Sequence, residues 1–223
     1  MKWITVSLFA KRNKMEKIIL PSIIAVTQEE VNKRINKVKD YAEWLQLDVM
    51  DGKFVPTHSL DFDFDLPETN CRYEAHLMVN NPEDWINKHI EKVDALLFHI
   101  EPCKDPKKII QIVKDKGKKI GLAINPETSL EKIKPYLDDI DEVIIMTVTP
   151  GFYGSPFLPE QLIKVKELRN LKPILNIEVD GGINDKTIKQ ASDAGANLFI
   201  SGSYIVKSDD VQKAINTLKN LII

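Results

Sequence analysis

Eight short apolar segments recur along the chain, and each is followed by a more polar stretch. The segments are 18–24, 44–50, 72–79, 95–100, 119–125, 142–147, 174–179 and 197–201. Their length and apolar character are typical of buried strands. Strands that alternate with helices usually pair in parallel, because a helix carries the chain back to the start of the next strand. The repeat therefore predicts a parallel sheet built from βα units.

The connecting stretches are mostly amphipathic and open on Pro, Asp, Asn, Ser or Thr, as helices do. They read TQEEVNKRINKVKDY, PEDWINKHIEKV, DPKKIIQIVKDKG, SLEKIKPYLDDI, PEQLIKVKELRN and NDKTIKQASDAG, and only the connection 57–70 is weak as a helix. Eight such units in about 205 residues fit a single α/β domain, a (β/α)8 TIM barrel with parallel strands, better than an open doubly wound sheet. We expect the catalytic barrel to span residues 17–223, after a loose N-terminal extension of residues 1–16.

The composition is typical of a globular protein that binds small molecules. Of the 223 residues, 43% are hydrophobic and 29% are charged, and a net charge of −2 leaves no basic stripe for nucleic acid. The apolar run near the N-terminus is too short for a membrane span and lacks a clear cleavage site, so we expect neither a membrane anchor nor a signal peptide. Cys71 and Cys103 lack zinc-like spacing, which favours a reducing, cytoplasmic location.

The stretch LQLDVMDGKFVP, residues 45–56, places an acid inside a strand segment. Because strand side chains alternate, one face carries Leu45, Leu47 and Val49 and the other carries Gln46, Asp48 and Met50. The pair Asp51-Gly52 is also a hairpin signal. However, two prolines and a run of acids follow instead of a second alternating strand, which weakens the hairpin interpretation. The hairpin interpretation therefore does not explain why Asp48 lies within the strand segment.

Other strand segments repeat this pattern of polar residues on one face. The positions are Glu74, His76 and Met78 in the third segment, His99 and Glu101 at the end of the fourth, and Asn176, Glu178 and Asp180 in the seventh. In a barrel of this kind, polar inward side chains are expected to cluster at the carboxyl ends of the strands, where chemistry occurs. A lone histidine or aspartate there is more often a rim or turn residue. Four such strand ends that point at one mouth favour a functional site.

Glycines follow the last three strand segments in the stretches TPGFYGS, DGG and SGS. Each glycine by itself is explained equally well by a tight turn. In barrels, however, the loops after strands seven and eight commonly hold a phosphate, because unobstructed backbone N–H groups converge on its oxygens. The three loops together predict a phosphate site.

Several motifs resemble the ribulose-phosphate 3-epimerase family, in order and with its usual spacing, from residue 17 to about 222. They are LPSII, LDVMDGKFVP, AHLMVNNPEDW, GLAINPET, MTVTPGF and IEVDGGIN with AGANLFISGS. The resemblance implies a barrel isomerase of the pentose phosphate pathway that inverts C3 of D-ribulose 5-phosphate to give D-xylulose 5-phosphate, usually with a bound divalent metal ion. Close relatives of the family act on D-allulose 6-phosphate.

The resemblance also assigns roles to individual residues. Asp48 and Asp180 match the two acid/base carboxylates, and inversion beside a ketone does need one group to remove a proton and another to return it. Both, with His76, match ligands of a divalent metal ion (Zn, Fe, Mn or Mg). The positions implied for binding a phosphorylated ketose are Ser22, Met50, His76, Met146, Gly151, Phe152, Tyr153, Gly154, Gly181, Gly182, Gly202 and Ser203. A homo-oligomer is compatible with the resemblance.

The chain departs from the family pattern at three places. Gln46 stands where the family has a histidine, so the fourth metal ligand is a neutral amide and the metal identity is open. The family loop PGFGGQ reads PGFYGS here, which loses a glycine and a glutamine. After FVP the usual Asn and Gly-Pro elements are absent, and we expect His58 to be exposed in that loop.

Two other functions stay open beside a sugar-phosphate 3-epimerase. A non-catalytic phosphate-binding barrel is favoured by Gln46 and Tyr153, but it is opposed by the presence of Asp48 and Asp180. A decarboxylase or aldolase-like synthase of the same superfamily is expected to carry a lysine two residues after the first acid. Met50 occupies that position here.

Overall fold

A computed structural model describes residues 15–151 and 154–223 of the chain. Most of the predicted extension, residues 1–14, and the predicted site residues Phe152 and Tyr153 therefore lie outside the described residues. Within the described ranges, no helix combines the length and the apolar character needed to cross a bilayer. Cys71 and Cys103 are both free thiols.

The eight predicted strand segments all form strands, with ends within two or three residues of those predicted. The strands are β1 (Ile18–Leu20), β2 (Ser22–Ile23), β3 (Trp44–Asp51), β4 (His58–Ser59), β5 (Arg72–Met78), β6 (Ala95–His99), β7 (Lys119–Ile124), β8 (Glu142–Met146), β9 (Asn176–Asp180) and β10 (Leu198–Ile200). Every pairing is parallel except that of β4 with β3. The eight apolar segments of the sequence thus located the strands of the sheet correctly.

The first predicted segment forms two short strands that close the barrel. β1 pairs with β10, whereas β2 pairs with β3 on the other side. Pro21 separates them, and proline has no N–H to donate to a sheet. Its carbonyl still accepts a hydrogen bond from the Gln46 N–H at 3.1 Å. β1 and β2 together therefore join β10 to β3, and this pairing closes the sheet into a barrel.

Within residues 15–151 and 154–223, seven α-helices lie between or after the strands. They are α1 (Gln28–Val38), α2 (Pro82–His89), α3 (Pro106–Asp115), α4 (Leu162–Leu171), α5 (Ile188–Ala194), α6 (Ser203–Val206) and α7 (Val211–Ile222). Caps predicted from the sequence form at α1 and α3, where Thr27 and Asp105 accept the N–H of Glu30 and Lys108.

One helix prediction is wrong. The stretch SLEKIKPYLDDI forms two single 3-10 turns, Leu130–Lys132 and Lys134–Tyr136, instead of an α-helix. Pro135 explains the break, because it lacks an N–H and its ring clashes with the preceding turn of an α-helix. Residues 57–70 contain no helix, as predicted.

The loop after β3 is closer to a hairpin than the sequence suggested. β4 pairs antiparallel with the end of β3, and Asp51 lies opposite His58. The Asp51 carboxylate accepts the N–H groups of Lys53, Phe54 and Asn80 at 2.9, 3.0 and 2.8 Å. Asp51 therefore has a structural role in holding this loop, and His58 is exposed as expected.

The alternation of β3 separates two cores. Leu45, Leu47 and Val49 are fully buried in the main cluster between the sheet and the helices. Burial of such a side chain stabilises the fold by about 1.5–3 kcal/mol. The opposite face of the strand, with Gln46 and Asp48, is buried inside the barrel.

Not every inward polar residue reaches the carboxyl end of the barrel. Glu74 and Glu178 lie deeper, where each has a carboxylate oxygen within 4.8 Å of Glu142 and of the other. Burial raises the pKa of Glu74 and of Glu178 well above the ordinary value, and the nearby carboxylates add to this effect. The expectation that Glu74 and Glu178 join the cluster at the mouth is therefore wrong. His76 and Asp180, two residues further along the same strands, take part in that cluster instead.

Candidate active site

A cavity of about 360 Å³ opens at the carboxyl ends of the strands. Most of the predicted site residues lie on its wall: Ser22, Asp48, Met50, Met146, Gly151, Gly154, Asp180, Gly181, Gly182, Gly202 and Ser203. His76 and Gln46 are fully buried, behind the residues that line the cavity. The barrel thus brings residues from distant parts of the sequence to one opening.

Asp48, His76 and Asp180 meet at the base of this cavity. Asp48 on β3 and His76 on β5 are register partners on adjacent strands, so their inward side chains lie side by side. Nδ1 of His76 lies 3.1 Å from Oδ2 of Asp180 and 3.6 Å from Oδ1 of Asp48. The imidazole therefore stands between two carboxylates that come from different walls of the barrel.

Gln46 connects the same two carboxylates from below. Its Nε2 donates hydrogen bonds to Oδ1 of Asp48 at 2.7 Å and to Oδ2 of Asp180 at 3.0 Å. Its Oε1 is buried and has no hydrogen-bond partner among the described residues. In this arrangement the amide nitrogen faces the acids, and an amide nitrogen is a donor rather than a metal ligand. Gln46 therefore acts here as a bridge between the acids.

The electrostatics of the site follow from burial and from the closeness of these charges. Burial raises the pKa of Asp48, and repulsion from Asp180 adds to the shift, while the nearby His76 imidazole and the hydrogen bond from Gln46 oppose it. Burial acts to lower the pKa of His76, but Asp180 and Asp48 outweigh burial and raise the pKa to about 9. The imidazole therefore carries a positive charge that compensates the acids when no metal ion does.

The three residues also fit a divalent metal ion. One potential ligand atom from each of Asp48, His76 and Asp180 lies within 4.8 Å of the other two. Nδ1 of His76 is buried and has no partner with hydrogen-bond geometry, which is unusual unless the atom has another use. One imidazole and two carboxylates form a donor set that zinc, iron or manganese can accept.

A chain of side chains extends from His76 toward the rim. Nε2 of His76 lies 3.0 Å from Nε2 of His99, and Nδ1 of His99 lies 3.1 Å from Oε2 of Glu101. Oε1 of Glu101 accepts the Asn125 N–H at 2.8 Å. Burial acts to raise the pKa of Glu101, but the bonds from His99 and its other partners outweigh it and hold the pKa at about 2. Glu101 is therefore a carboxylate at neutral pH.

The glycine loops form the opposite side of the cavity. Gly181 adopts a φ of 115°, and a Cβ atom there would lie 2.3 Å from Cγ2 of Val148. Only glycine fits this position, because other residues would be both strained and in contact with the valine. Thr147 Oγ1 fixes the loop by donating to the Gly181 carbonyl at 2.7 Å.

The sequence analysis missed part of the cavity wall. The missed polar residues are Ser155, Asn184, Tyr204 and Lys207. Lys207 is the only lysine or arginine among the described residues that line the cavity. Lys207 comes directly after α6, the short helix that begins at the last residue of the SGS motif. The loop after strand eight of a barrel commonly holds phosphate, and this rule could have identified Lys207.

A parallel barrel with paired carboxylates across the carboxyl-end cavity defines an acid–base enzyme of the (β/α)8 class. A model of the Ribulose-phosphate 3 epimerase family matches residues 18–206. Ribulose-phosphate 3-epimerase from Schizosaccharomyces pombe is 34% identical over 212 residues, which cover 92% of this chain and 93% of the relative. The enzyme of the same name from Bacillus subtilis is 35% identical over 211 residues, with coverages of 90% and 97%. The chain therefore belongs to the ribulose-phosphate 3-epimerase family, and it is an epimerase.

Solved structures of other phosphate-metabolising barrels share the fold. 3-Hexulose-6-phosphate synthase from Salmonella typhimurium superimposes with a TM-score of 0.69 at 16% identity, over 92% of this chain and 98% of that one. 3-Keto-L-gulonate-6-phosphate decarboxylase from Vibrio cholerae gives a TM-score of 0.67 at 13% identity, over 93% and 98%. At these identities the likeness concerns the fold alone.

Proposed function

We propose that this protein interconverts D-ribulose 5-phosphate and D-xylulose 5-phosphate by inverting the configuration at C3. The observation that carries the proposal is the placement of Asp48 and Asp180 on two separate strands, β3 and β9, with both carboxylates at the base of one cavity. A carbon beside a ketone loses its proton readily when a base is aligned with it. Inversion then requires that a second group return a proton from the other face.

Asp48 and Asp180 supply those two groups. For turnover in either direction, one must be a carboxylate and the other a carboxylic acid, and their roles exchange with the direction. Burial and the Asp180 charge raise the pKa of Asp48, which brings this carboxyl group closer to the range in which it can both accept and donate a proton. Ser22, Met50 and Met146 line the cavity and would exclude water from the substrate carbon.

The metal ligands in this proposal are Asp48, His76 and Asp180. A divalent ion held there would act as a Lewis acid that stabilises negative charge on the substrate oxygens during proton transfer. Gln46 binds the two acids through its Nε2 atom. For this reason we propose manganese or magnesium rather than a tightly bound zinc ion as the activating metal.

The phosphate group of the substrate would occupy the glycine loops. Gly181, Gly182, Gly202 and Ser203 line one side of the cavity, and Lys207 adds a cationic side chain there. Backbone N–H groups and an ammonium group suit a phosphate dianion. Gly151 and Gly154 line the cavity and are proposed to contact the bound sugar phosphate. Phe152 and Tyr153, which lie outside the described residues, stay predicted substrate-binding residues.

A coupled assay of the purified protein tests this function directly. D-Ribulose 5-phosphate and D-allulose 6-phosphate are compared as substrates, with and without added Mn²⁺ or Mg²⁺, and Asp48→Asn is the inactive control. Faster turnover of D-ribulose 5-phosphate supports the proposal, and preference for D-allulose 6-phosphate assigns the hexulose reaction instead. No turnover of either would favour a non-catalytic phosphate-binding barrel.

We further propose that residues 17–223 form the catalytic barrel and that the protein is cytoplasmic. A relative from rice, 37% identical over 190 residues, is named a cytoplasmic isoform. Activity of a chain that begins at Met15 tests the first point, and cell fractionation tests the second. Light scattering of the purified protein will show whether it forms a homo-oligomer.

A further inference from the structure

His76, His99 and Glu101 form a chain of polar side chains whose two imidazole rings are shielded from water. His76 and His99 are 0% and 1% exposed, so water does not compete for their ring nitrogens. Their rings lie 5.1 Å apart with an interplanar angle of 21°, and the Phe54 ring packs 4.8 Å from His99. These contacts restrict the orientation of both imidazoles.

The chemistry of the end group sets the direction of the hydrogen bonds. Glu101 is a carboxylate, which only accepts, so the proton between Glu101 and His99 belongs to Nδ1 of His99. The two Nε2 atoms of His76 and His99 lie 3.0 Å apart and share one proton, and an imidazole that binds a metal ion through Nδ1 carries its proton on Nε2. The proton between the two rings then belongs to Nε2 of His76. This leaves Nδ1 of His76 on the side of Asp48 and Asp180.

We propose that Glu101 and His99 are positioning residues that fix the Nε2–H of His76 and so direct its Nδ1 atom toward the metal position between Asp48 and Asp180. This inference rests on the metal site of the proposed function. Neither Glu101 nor His99 touches the substrate in this arrangement. Both act through His76, in the way that outer partners orient a ligating imidazole in other metal sites.

The orientation also has an energetic consequence. A ring that is free to rotate, or that carries its proton on the wrong nitrogen, must be reorganised before a metal ion binds. The contacts among His76, His99 and Glu101 lower this cost because they hold the ring in the binding orientation beforehand, so that only the proton on Nδ1 of His76 has to leave when a metal ion binds. Loss of such an outer partner typically weakens metal affinity by about 10–100-fold.

Two variants test the proposal with zinc ion as the probe. Glu101→Gln keeps the size of the side chain but allows the end group to donate as well as accept. His99→Phe keeps a ring beside His76 and Phe54 but removes the acceptor for the Nε2–H. Asp61→Asn is the matched control, because it makes the same acid-to-amide change in the exposed His58–Asp61 pair. Zinc dissociation constants are measured by competition with a chelator, after circular dichroism has established that each variant is folded.

We expect both variants to raise the zinc dissociation constant by about tenfold or more, while Asp61→Asn leaves it unchanged. Nitrogen-15 spectra of the wild-type histidines provide a second readout that requires neither a variant nor turnover. They should report His99 as a neutral ring with its proton on Nδ1.

Wild-type zinc affinity in folded Glu101→Gln and His99→Phe would overturn the proposal, as would a proton on Nε2 of His99. The spectra decide the question even if a variant does not fold. Because neither measurement involves a sugar phosphate, an inactive wild-type protein with the expected spectra would reject the proposed function and leave this inference standing.

Discussion

Gln46 offers the sharpest test of how this site handles a metal ion. We predict that Gln46→His increases zinc affinity and that the wild-type protein carries little zinc after purification. In the structure Nε2 of Gln46 donates to both Asp48 and Asp180, at 2.7 and 3.0 Å. A metal ion bound by these carboxylates competes with both hydrogen bonds, because the ion and the amide protons draw on the lone pairs of the same two carboxylate groups.

The magnitude follows from those two bonds. A hydrogen bond to a charged group is worth about 1.5–3 kcal/mol net. When a metal ion binds, a histidine at position 46 loses fewer such hydrogen bonds than Gln46 does, and its ring nitrogen becomes a further ligand of the ion. We take the difference as one hydrogen bond, and since about 1.4 kcal/mol is a factor of ten, zinc should bind about tenfold to a hundredfold more tightly to Gln46→His.

The assay combines elemental analysis of the purified proteins with zinc titration against a competing chelator. Gln161→His is the matched control, because Gln161 is also buried with an unpaired Oε1 but lies on the outer side of the barrel, before α4. Only Gln46→His should gain affinity. Stoichiometric zinc in the wild-type protein, with a dissociation constant that Gln46→His does not change, would refute the reasoning and show that Gln46 does not set the metal.

Three further predictions concern catalysis, substrate binding and stability. Asp48→Asn and Asp180→Asn should each lower turnover by at least about a hundredfold without unfolding the protein; a near wild-type rate in either, or no solvent deuterium at C3 of the product, would exclude the two-carboxylate mechanism. Lys207→Met should raise KM for the sugar phosphate by about tenfold, the scale of one charge-assisted bond, and leave unphosphorylated ribulose, already a poor substrate, unaffected; the exposed Lys213→Met is its control, and equal KM values would remove Lys207 from the phosphate site. Burial raises the pKa of Glu142 from 4.5 to about 7, so the folded state binds more protons than the unfolded state in that range and the free energy of unfolding falls as pH rises through it. Glu142→Gln should reduce this fall in denaturation experiments at pH 5 and pH 8, and an unchanged pH dependence would contradict the assignment.

Local patterns in the sequence predicted most of the secondary structure. Short apolar segments identified the strands, because strands of a parallel sheet are buried on both faces, and alternation within them then assigned side chains to each face. Helix starts were recognised from capping residues such as Thr27 and Asp105. The prediction failed over residues 129–140, where Pro135 breaks the helix that the amphipathic pattern predicted.

The candidate site was only partly predictable. Asp48, His76 and Asp180 could be assigned to the cavity because each lies in the carboxyl half of a strand, on its inward face. The sequence also suggested Glu74 and Glu178 for the same cluster, although the structure separates them into a deeper layer with Glu142. Alternation fixes the face of a residue but not its depth in the barrel, so this distinction was not available from the strand pattern.

The sequence by itself determined the parallel βα architecture, the inward faces of the strands and the motifs of an epimerase family, since all three depend on short-range patterns. Only the tertiary structure decided which inward side chains touch. Gln46 reaches Asp180 across 134 positions of sequence, and His76 reaches His99 across 23. Such contacts depend on strand register and on closure of the sheet through β1 and β2, and these are set by packing of the whole barrel rather than by any one segment.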